Sequence, residues 1–165
     1  MLILMDVDGV LNPVRKWDSI EQEHIVLLPN DRRVLLAEAS TLGTIVWGTS
    51  CSLSVTEQLE QQTGIAGTTL RMPLGSGDPA AETPKLRQLS RWVTRFIAES
   101  PDDVVMVVWI DDVHGRDAHE LAASSRFPLL LVTTQPQHGL TTADLDKARR
   151  WIGRPGQAEH PPSPK

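Results

Sequence analysis

Met1-Leu-Ile-Leu-Met-Asp-Val-Asp-Gly-Val-Leu-Asn12 decides how the rest of the chain is read. Five apolar residues run directly into Asp6, Val7, Asp8 and Gly9. A short unbroken apolar run that stops at a glycine reads as a strand buried on both faces. Side chains alternate along a strand, so Asp6 and Asp8 are expected on one side of its carboxyl end and Val7 on the other. Two carboxylates so placed can bind a divalent cation or divide acid and base roles between them. Gly9 lets the backbone turn sharply beside them. A solvated strand end is the plainer alternative, since Asp-Gly is ordinary turn chemistry.

Working outward, 165 residues make one domain with room for a proper core. Hydrophobic residues at 40% and charged residues at 22% fit a soluble globular protein. A net charge of −5 argues against general affinity for nucleic acid or membranes and leaves room for a local basic patch. The single cysteine excludes an internal disulfide and fits a reducing compartment. Asp6 interrupts the apolar start, so no signal peptide is expected, and no apolar run approaches the ~20 residues of a membrane span. These features point to a cytoplasmic protein without a membrane partner.

Along the chain, residues 13–29 are too long for a simple strand-to-helix loop and predict a flap over the first strand's end. Asn30 is expected to cap a first helix with Val34, Leu35, Ala39 and Leu42 inward, stopped by Gly43. Thr44–Trp47 predicts a second buried strand, which breaks into Gly48-Thr49-Ser50-Cys51. A helix over Ser54–Thr63 and a short edge strand over Ile65–Leu70 follow. A Gly- and Pro-rich loop then leads to a helix capped by Thr83, with Pro84 in its first turn and Leu86, Leu89, Val93, Phe96 and Ile97 as its apolar stripe. Val104–Ile110 is seven apolar residues without a break, the mark of a central parallel strand, and it ends in Asp111-Asp112. A helix over Arg116–Ser125, a strand over Leu129–Val132 and a last helix opened by the capping box Thr141-x-x-Asp144 complete the domain at residue 152. Four prolines and two glycines mark residues 153–165 as a disordered tail. Strands alternating with helices give an α/β fold, a Rossmann-like parallel sheet of about five strands with helices on both faces. Ligands of such sheets sit outside the carboxyl ends of the strands.

Asp6-Val-Asp-Gly-Val-Leu-Asn12 resembles the first motif of the haloacid dehalogenase (HAD) superfamily of phosphatases and phosphotransferases, and three further matches follow in the superfamily's order, reaching residue 112. A phosphate monoester needs a nucleophile, a proton for its leaving oxygen and positive charge around the transferring group. Asp6 is the nucleophile that becomes an aspartyl-phosphate, and Asp8 the acid that protonates the leaving group and then the base that activates water; the resemblance implies the same roles. It implies a phosphate-binding hydroxyl at the end of the second strand, Thr49 or Ser50, with Thr49 favoured by the Gly48-Thr49 turn. It implies a phosphate-binding lysine near the start of the helix before the fourth strand, and Lys85 fits, although a cation in a first turn opposes the helix dipole. It implies that Asp111-Asp112 completes a Mg²⁺ site with Asp6 and the backbone carbonyl of Asp8. Hard oxygen ligands suit that ion. Some seventeen residues between Asn12 and Asn30 cannot fold as a separate cap domain, so a capless member is expected.

Ordinary roles compete for several of these residues. Thr49 and Ser50 can be a helix-capping turn, Lys85 an exposed helix lysine, and Asp111-Asp112 a solvated helix start. Cys51 lacks the Cys-x5-Arg spacing of a cysteine phosphatase, because position 57 is Glu, and reads as a small packing residue. His114 and His119 lack a zinc-site pattern and read as exposed residues at a helix start, with His114 or Arg116 as possible substrate contacts. Trp47, Trp92, Trp109 and Trp151 read as core, and Trp17 as a surface for stacking on a base. Trp47-Gly-Thr-Ser50, Trp109-Ile-Asp-Asp112 and Gly139-Leu-Thr141 are similar to small HAD modules linked to RNA-repair proteins. Arg87, Arg91 and Arg95 fall in an i, i+4, i+8 row, either a solvated face or a track for a phosphorylated chain. The sequence thus predicts a Mg²⁺-dependent phosphatase acting on a nucleic-acid end or another macromolecular phosphate. A small-metabolite phosphatase and a catalytically silent binding module of the same fold are the alternatives. A receiver domain is excluded because its phosphorylated aspartate lies on the third strand.

Overall fold

The computed structural model describes residues 1–12, 28–72, 82–99 and 106–153. Five strands form one sheet: β1 (Leu2–Met5), β2 (Thr44–Thr49), β3 (Thr68–Arg71), β4 (Val107–Asp111) and β5 (Leu129–Thr133). They lie in the order β3-β2-β1-β4-β5, with every pairing parallel. The helices are α1 (Asn30–Leu42), α2 (Leu53–Thr63), α3 (Leu86–Glu99), α4 (Arg116–Ser124) and α5 (Thr142–Ile152).

Alternation along the strands sorts the core into two layers. Ile3, Met5, Ile45, Trp47, Val108, Ile110 and Val132 face α1, α2 and α5 through Leu36, Ala39, Leu59, Leu145 and Ala148. Leu2, Leu4, Val46, Val107, Trp109 and Leu131 face α3 and α4 through Leu89, Val93 and Ala118. The sheet is therefore covered on both sides, which is why its central strands read as unbroken apolar runs. From β1 the chain winds out through β2 to the edge strand β3, then crosses to β4 on the other flank. The order reverses between β1 and β4, and the crevice at their carboxyl ends is where such sheets bind ligands.

Local chemistry departs from expectation at two helix starts. Asn30 is the first residue of α1, with Pro29 in the capping position and no side-chain cap. Val34 on that helix is 52% exposed, and Leu36 takes the core position. Thr83 does not cap α3; its hydroxyl is drawn into the site described below. The capping box of α5 is present, with Thr141 and Asp144 bonded in both directions. Residues 13–27 of the predicted flap, Trp17 among them, residues 73–81 of the Gly- and Pro-rich loop and residues 154–165 of the tail lie outside the described residues, as do Val104 and Val105 of the expected fourth strand. Among the described residues, α1 is the only helix between Asn12 and β2, and only α2 and β3 lie between Thr49 and Glu82.

Candidate active site

Where β1 ends, the backbone makes one helical turn: the Val7 carbonyl accepts from the backbone N–H groups of Val10, Leu11 and Asn12 at 3.3, 2.9 and 2.9 Å. Val7, Val10 and Leu11 are fully buried and anchor the turn in the core. Gly9 sits at φ +70°, and a side chain there would run into the Asp112 carboxylate. That position therefore requires glycine twice over, for its backbone and for its space. From the far flank, the Thr134 hydroxyl donates to the Gly9 carbonyl at 2.8 Å and the Leu140 N–H to the Val10 carbonyl at 2.7 Å. Gly139, at φ +63°, lets the turn after β5 come this close, since a Cβ would strike the Val10 carbonyl oxygen. Arg32 of α1 holds the same turn through the carbonyls of His138 and Leu140.

The motif's two carboxylates part company. Asp6 is buried and Asp8 exposed. Asp6 accepts the Val7 N–H on Oδ1 at 2.8 Å and the Lys85 ammonium on Oδ2. Lys85 also donates to Asp111 Oδ2 at 3.0 Å. It precedes α3 rather than lying in its first turn, and it is only 5% exposed. The helix-dipole argument therefore does not describe it: a buried ammonium shared by two buried carboxylates does. Asp111 further accepts the Trp109 indole N–H at 3.2 Å and the Val113 N–H at 3.2 Å. Trp109 is thus a core residue that also reaches into the site.

Carboxylate oxygens of Asp6, Asp111 and Asp112 lie within 4.8 Å of one another. Burial, with the charge of Asp111, pushes Asp6 up to about 7 against the opposing pull of Lys85. Burial and Asp111 push Asp112 up to about 6. Burial disfavours the ammonium of Lys85, but Asp111 and Asp6 outweigh it and hold its pKa above the ordinary value. Three carboxylates against one ammonium leave two formal negative charges. An all-oxygen, dianionic cradle is the donor set that a hard divalent cation prefers.

Thr49 closes β2 beside β1 and is completely buried, its Oγ1 accepting the Cys51 N–H at 3.1 Å. Ser50 is half-buried, and no described bond ties it to the carboxylates. Cys51 packs against the core as expected, but its thiol also donates to Asp8 Oδ2 at 3.3 Å. Burial pushes that thiol up to about 11, so it stays protonated. Asn12 Nδ2 donates to the other Asp8 oxygen at 3.2 Å.

Two further residues fix the lysine. Thr83 gives its N–H to both Asp117 oxygens, at 2.9 and 3.0 Å, and its hydroxyl to Oδ1 at 2.7 Å. The same hydroxyl accepts the Gly115 N–H at 2.8 Å. The start of α4 is thereby tied to the segment that delivers Lys85. His114 is not an exposed helix-start residue. Its ring meets Trp109 edge-on at 4.8 Å, and Nδ1 lies 2.8 Å from the Thr133 hydroxyl. Nε2 is buried with no partner among the described residues, and burial pushes the ring down to about 4. His119 and Arg116 are exposed.

The model of one family, the HAD domain in Swiss Army Knife RNA repair proteins, matches residues 2–145. The chain belongs to this family. The match covers the whole sheet and every residue of the HAD motifs named above. Neither the curated proteins nor the solved structures include a match. What membership secures is the fold, and at the carboxyl edge of that fold Asp6, Asp111 and Asp112 form a cluster with the ligands a metal ion could take.

Proposed function

We propose that the chain is a Mg²⁺-dependent phosphatase that hydrolyses a phosphate monoester through an aspartyl-phosphate on Asp6. The observation that carries this is Lys85, a buried ammonium held between Asp6 and Asp111 at the reversal point of the sheet. A catalytically silent module has no need to keep a nucleophile against a buried cation in a cradle of excess negative charge.

A carboxylate oxygen of Asp6 attacks phosphorus, the bond to the leaving oxygen breaks, and Asp8 gives that oxygen its proton. Asp8 then takes a proton from water, whose oxygen attacks the same phosphorus, releasing inorganic phosphate and restoring Asp6. Thr49 and Lys85 bind the phosphoryl oxygens, with Ser50 at the rim. Asp6, Asp111 and Asp112, with the backbone carbonyl of Asp8, would hold Mg²⁺, which supplies charge neutralisation at the transferring group. Asp111 already accepts from Lys85, Trp109 and Val113, which leaves Asp112 the freer ligand.

A nucleic-acid end or another macromolecular phosphate suits the site best. Arg87, Arg91 and Arg95 are all exposed along α3, whose preceding residue is Lys85. The family's description, with its reference to RNA repair proteins, favours RNA among such chains. The test is an assay of the purified protein on a 5′- or 3′-phosphorylated oligonucleotide, the matching mononucleotide and an aryl phosphate, with Mg²⁺ or chelator. Expected are Mg²⁺-dependent release of phosphate, its loss in Asp6→Asn, and kcat/KM for the oligonucleotide at least equal to that for the mononucleotide. Release that survives chelator or Asp6→Asn refutes the mechanism, and a clear preference for the mononucleotide refutes the macromolecular substrate.

A further inference from the structure

We propose that Cys51 is a positioning residue for Asp8, holding the acid and base of the reaction in the orientation that serves the leaving oxygen. This rests on the phosphatase mechanism above. Asp8 is exposed on a turn, where a lone carboxylate rotates freely. Here both of its oxygens are engaged, Oδ1 by the Asn12 amide at 3.2 Å and Oδ2 by the Cys51 thiol at 3.3 Å. Asn12 belongs to the same turn as Asp8 and moves with it. Cys51 comes from 43 positions away and is itself fixed, its N–H on the Thr49 hydroxyl at the end of β2 and its side chain against the core. The contact therefore ties the acid and base to the neighbouring strand end, where the phosphate-binding threonine sits.

The chemistry of sulfur suits the task. An S–H group is a weak donor and its sulfur a weak acceptor. Asp8 has to be proton-bearing in one half-reaction and proton-free in the next. A lysine or arginine in place of Cys51 would hold Asp8 ionised throughout. A thiol donates to the ionised form, can accept from the protonated one, and resists neither change. A hydroxyl can do the same, so serine should substitute where alanine cannot.

General acid catalysis matters in proportion to how poorly the leaving group departs, and that separates positioning from packing. Wild type, Cys51→Ala and Cys51→Ser, in the full chain with Mg²⁺, are compared on p-nitrophenyl phosphate and on an alkyl phosphate ester. The readout is kcat/KM, which covers the steps through cleavage of the ester bond. Cys51→Ala should lower it about tenfold for the alkyl ester, a modest share of the ~10²–10⁴-fold that a placed acid supplies, and less than about twofold for the aryl ester. Cys51→Ser should recover most of the alkyl activity. An equal fall for both esters, no fall for either, or a serine variant no better than alanine overturns the proposal while Asp6-dependent turnover by wild type leaves the mechanism standing. Wild type that releases no phosphate from either ester overturns the mechanism, and the role of Cys51 with it.

Discussion

Replacing Asp6 with asparagine should abolish turnover and strengthen the metal-free fold in the same stroke. Burial and the charge of Asp111 lift Asp6 from its ordinary 3.8 to about 7, even though Lys85 pulls the other way. A folded-state value above the unfolded one means that the native protein holds the proton more tightly. Stability from this group is therefore greatest at low pH and is lost as pH rises from about 4 through about 7. Fully expressed, that climb is worth up to ~4 kcal/mol of cost for carrying the ionised carboxylate in the fold. Asparagine keeps the shape, removes the charge, and gives up part of the bond to Lys85, so we expect a net gain of ~1–3 kcal/mol at pH 8 in chelator. For a chain of this size that is a rise of roughly 2–10 °C in Tm. The gap should close as pH falls from about 7 toward about 4, because folded wild-type Asp6 takes up its proton over that range, and His114 and Asp112 largely drop out because both proteins carry them. Added Mg²⁺ should narrow the gap from the other side by stabilising wild type more than the variant. Paired denaturant or thermal unfolding at pH 8 and pH 5 decides it. An Asp6→Asn protein less stable than wild type at pH 8 without metal would show that Lys85 outweighs burial, and that the site holds no excess of negative charge.

Lys85→Ala leaves two buried carboxylates without their ammonium, so it should cost ~3–5 kcal/mol in chelator, read as a fall in denaturant midpoint at constant m; a loss under ~1 kcal/mol would return Lys85 to an ordinary helix-start lysine. Asp111→Ala with Asp112→Ala should remove both Mg²⁺-dependent turnover and the rise in Tm on adding Mg²⁺, and a Tm that still responds would place the ion elsewhere. Replacing Arg87, Arg91 and Arg95 by alanine should raise KM for a phosphorylated oligonucleotide and flatten its salt dependence, with aryl phosphate hydrolysis unmoved. Unchanged salt dependence would mark the row as a solvated helix face, an outcome already hinted at for Arg95 by its 2.8 Å pairing with Glu99.

Much of this molecule was legible in its sequence because the signals were local. Val107–Ile110 and Leu2–Met5 are apolar without a break because β4 and β1 lie inside the sheet, and each delivers its aspartates to the carboxyl edge. What escaped was carried by long-range contacts. Thr83 looks like a helix cap, yet its hydroxyl goes to Asp117, 34 positions on. Cys51 looks like packing, yet its thiol reaches Asp8. Thr134 gives no sign in the sequence that it supports Gly9, 125 positions earlier. The clue available for Asp117 was its place five residues after Asp112, on the first turn of the helix that the Asp-Asp pair introduces. For Lys85, the helix dipole was the wrong physics, since burial decides its surroundings before any helix begins.

On the proposed mechanism, the burial that separates Asp6 from Asp8 also gives a cation a task at this site. A nucleophile must be ionised and a general acid protonated, yet burial lifts Asp6 to about 7 and so biases the buried member toward the inactive form. The residues themselves do not correct this: Lys85 already contacts Asp6 and Asp111, and with all three carboxylates ionised two formal negative charges remain. A phosphate ester brings still more negative charge to the same place. A divalent cation among Asp6, Asp111 and Asp112 would cancel the excess, favour ionised Asp6 and admit the substrate, three effects of one charge. Chelation should therefore be more damaging than the loss of a phosphate clamp alone. Raising the pH in chelator to ionise Asp6 should fail to restore turnover, because the added charge on Asp6 increases the repulsion that the ester meets in the site. Recovery of activity at pH 9 without metal would show that ionising Asp6 was the cation's whole task.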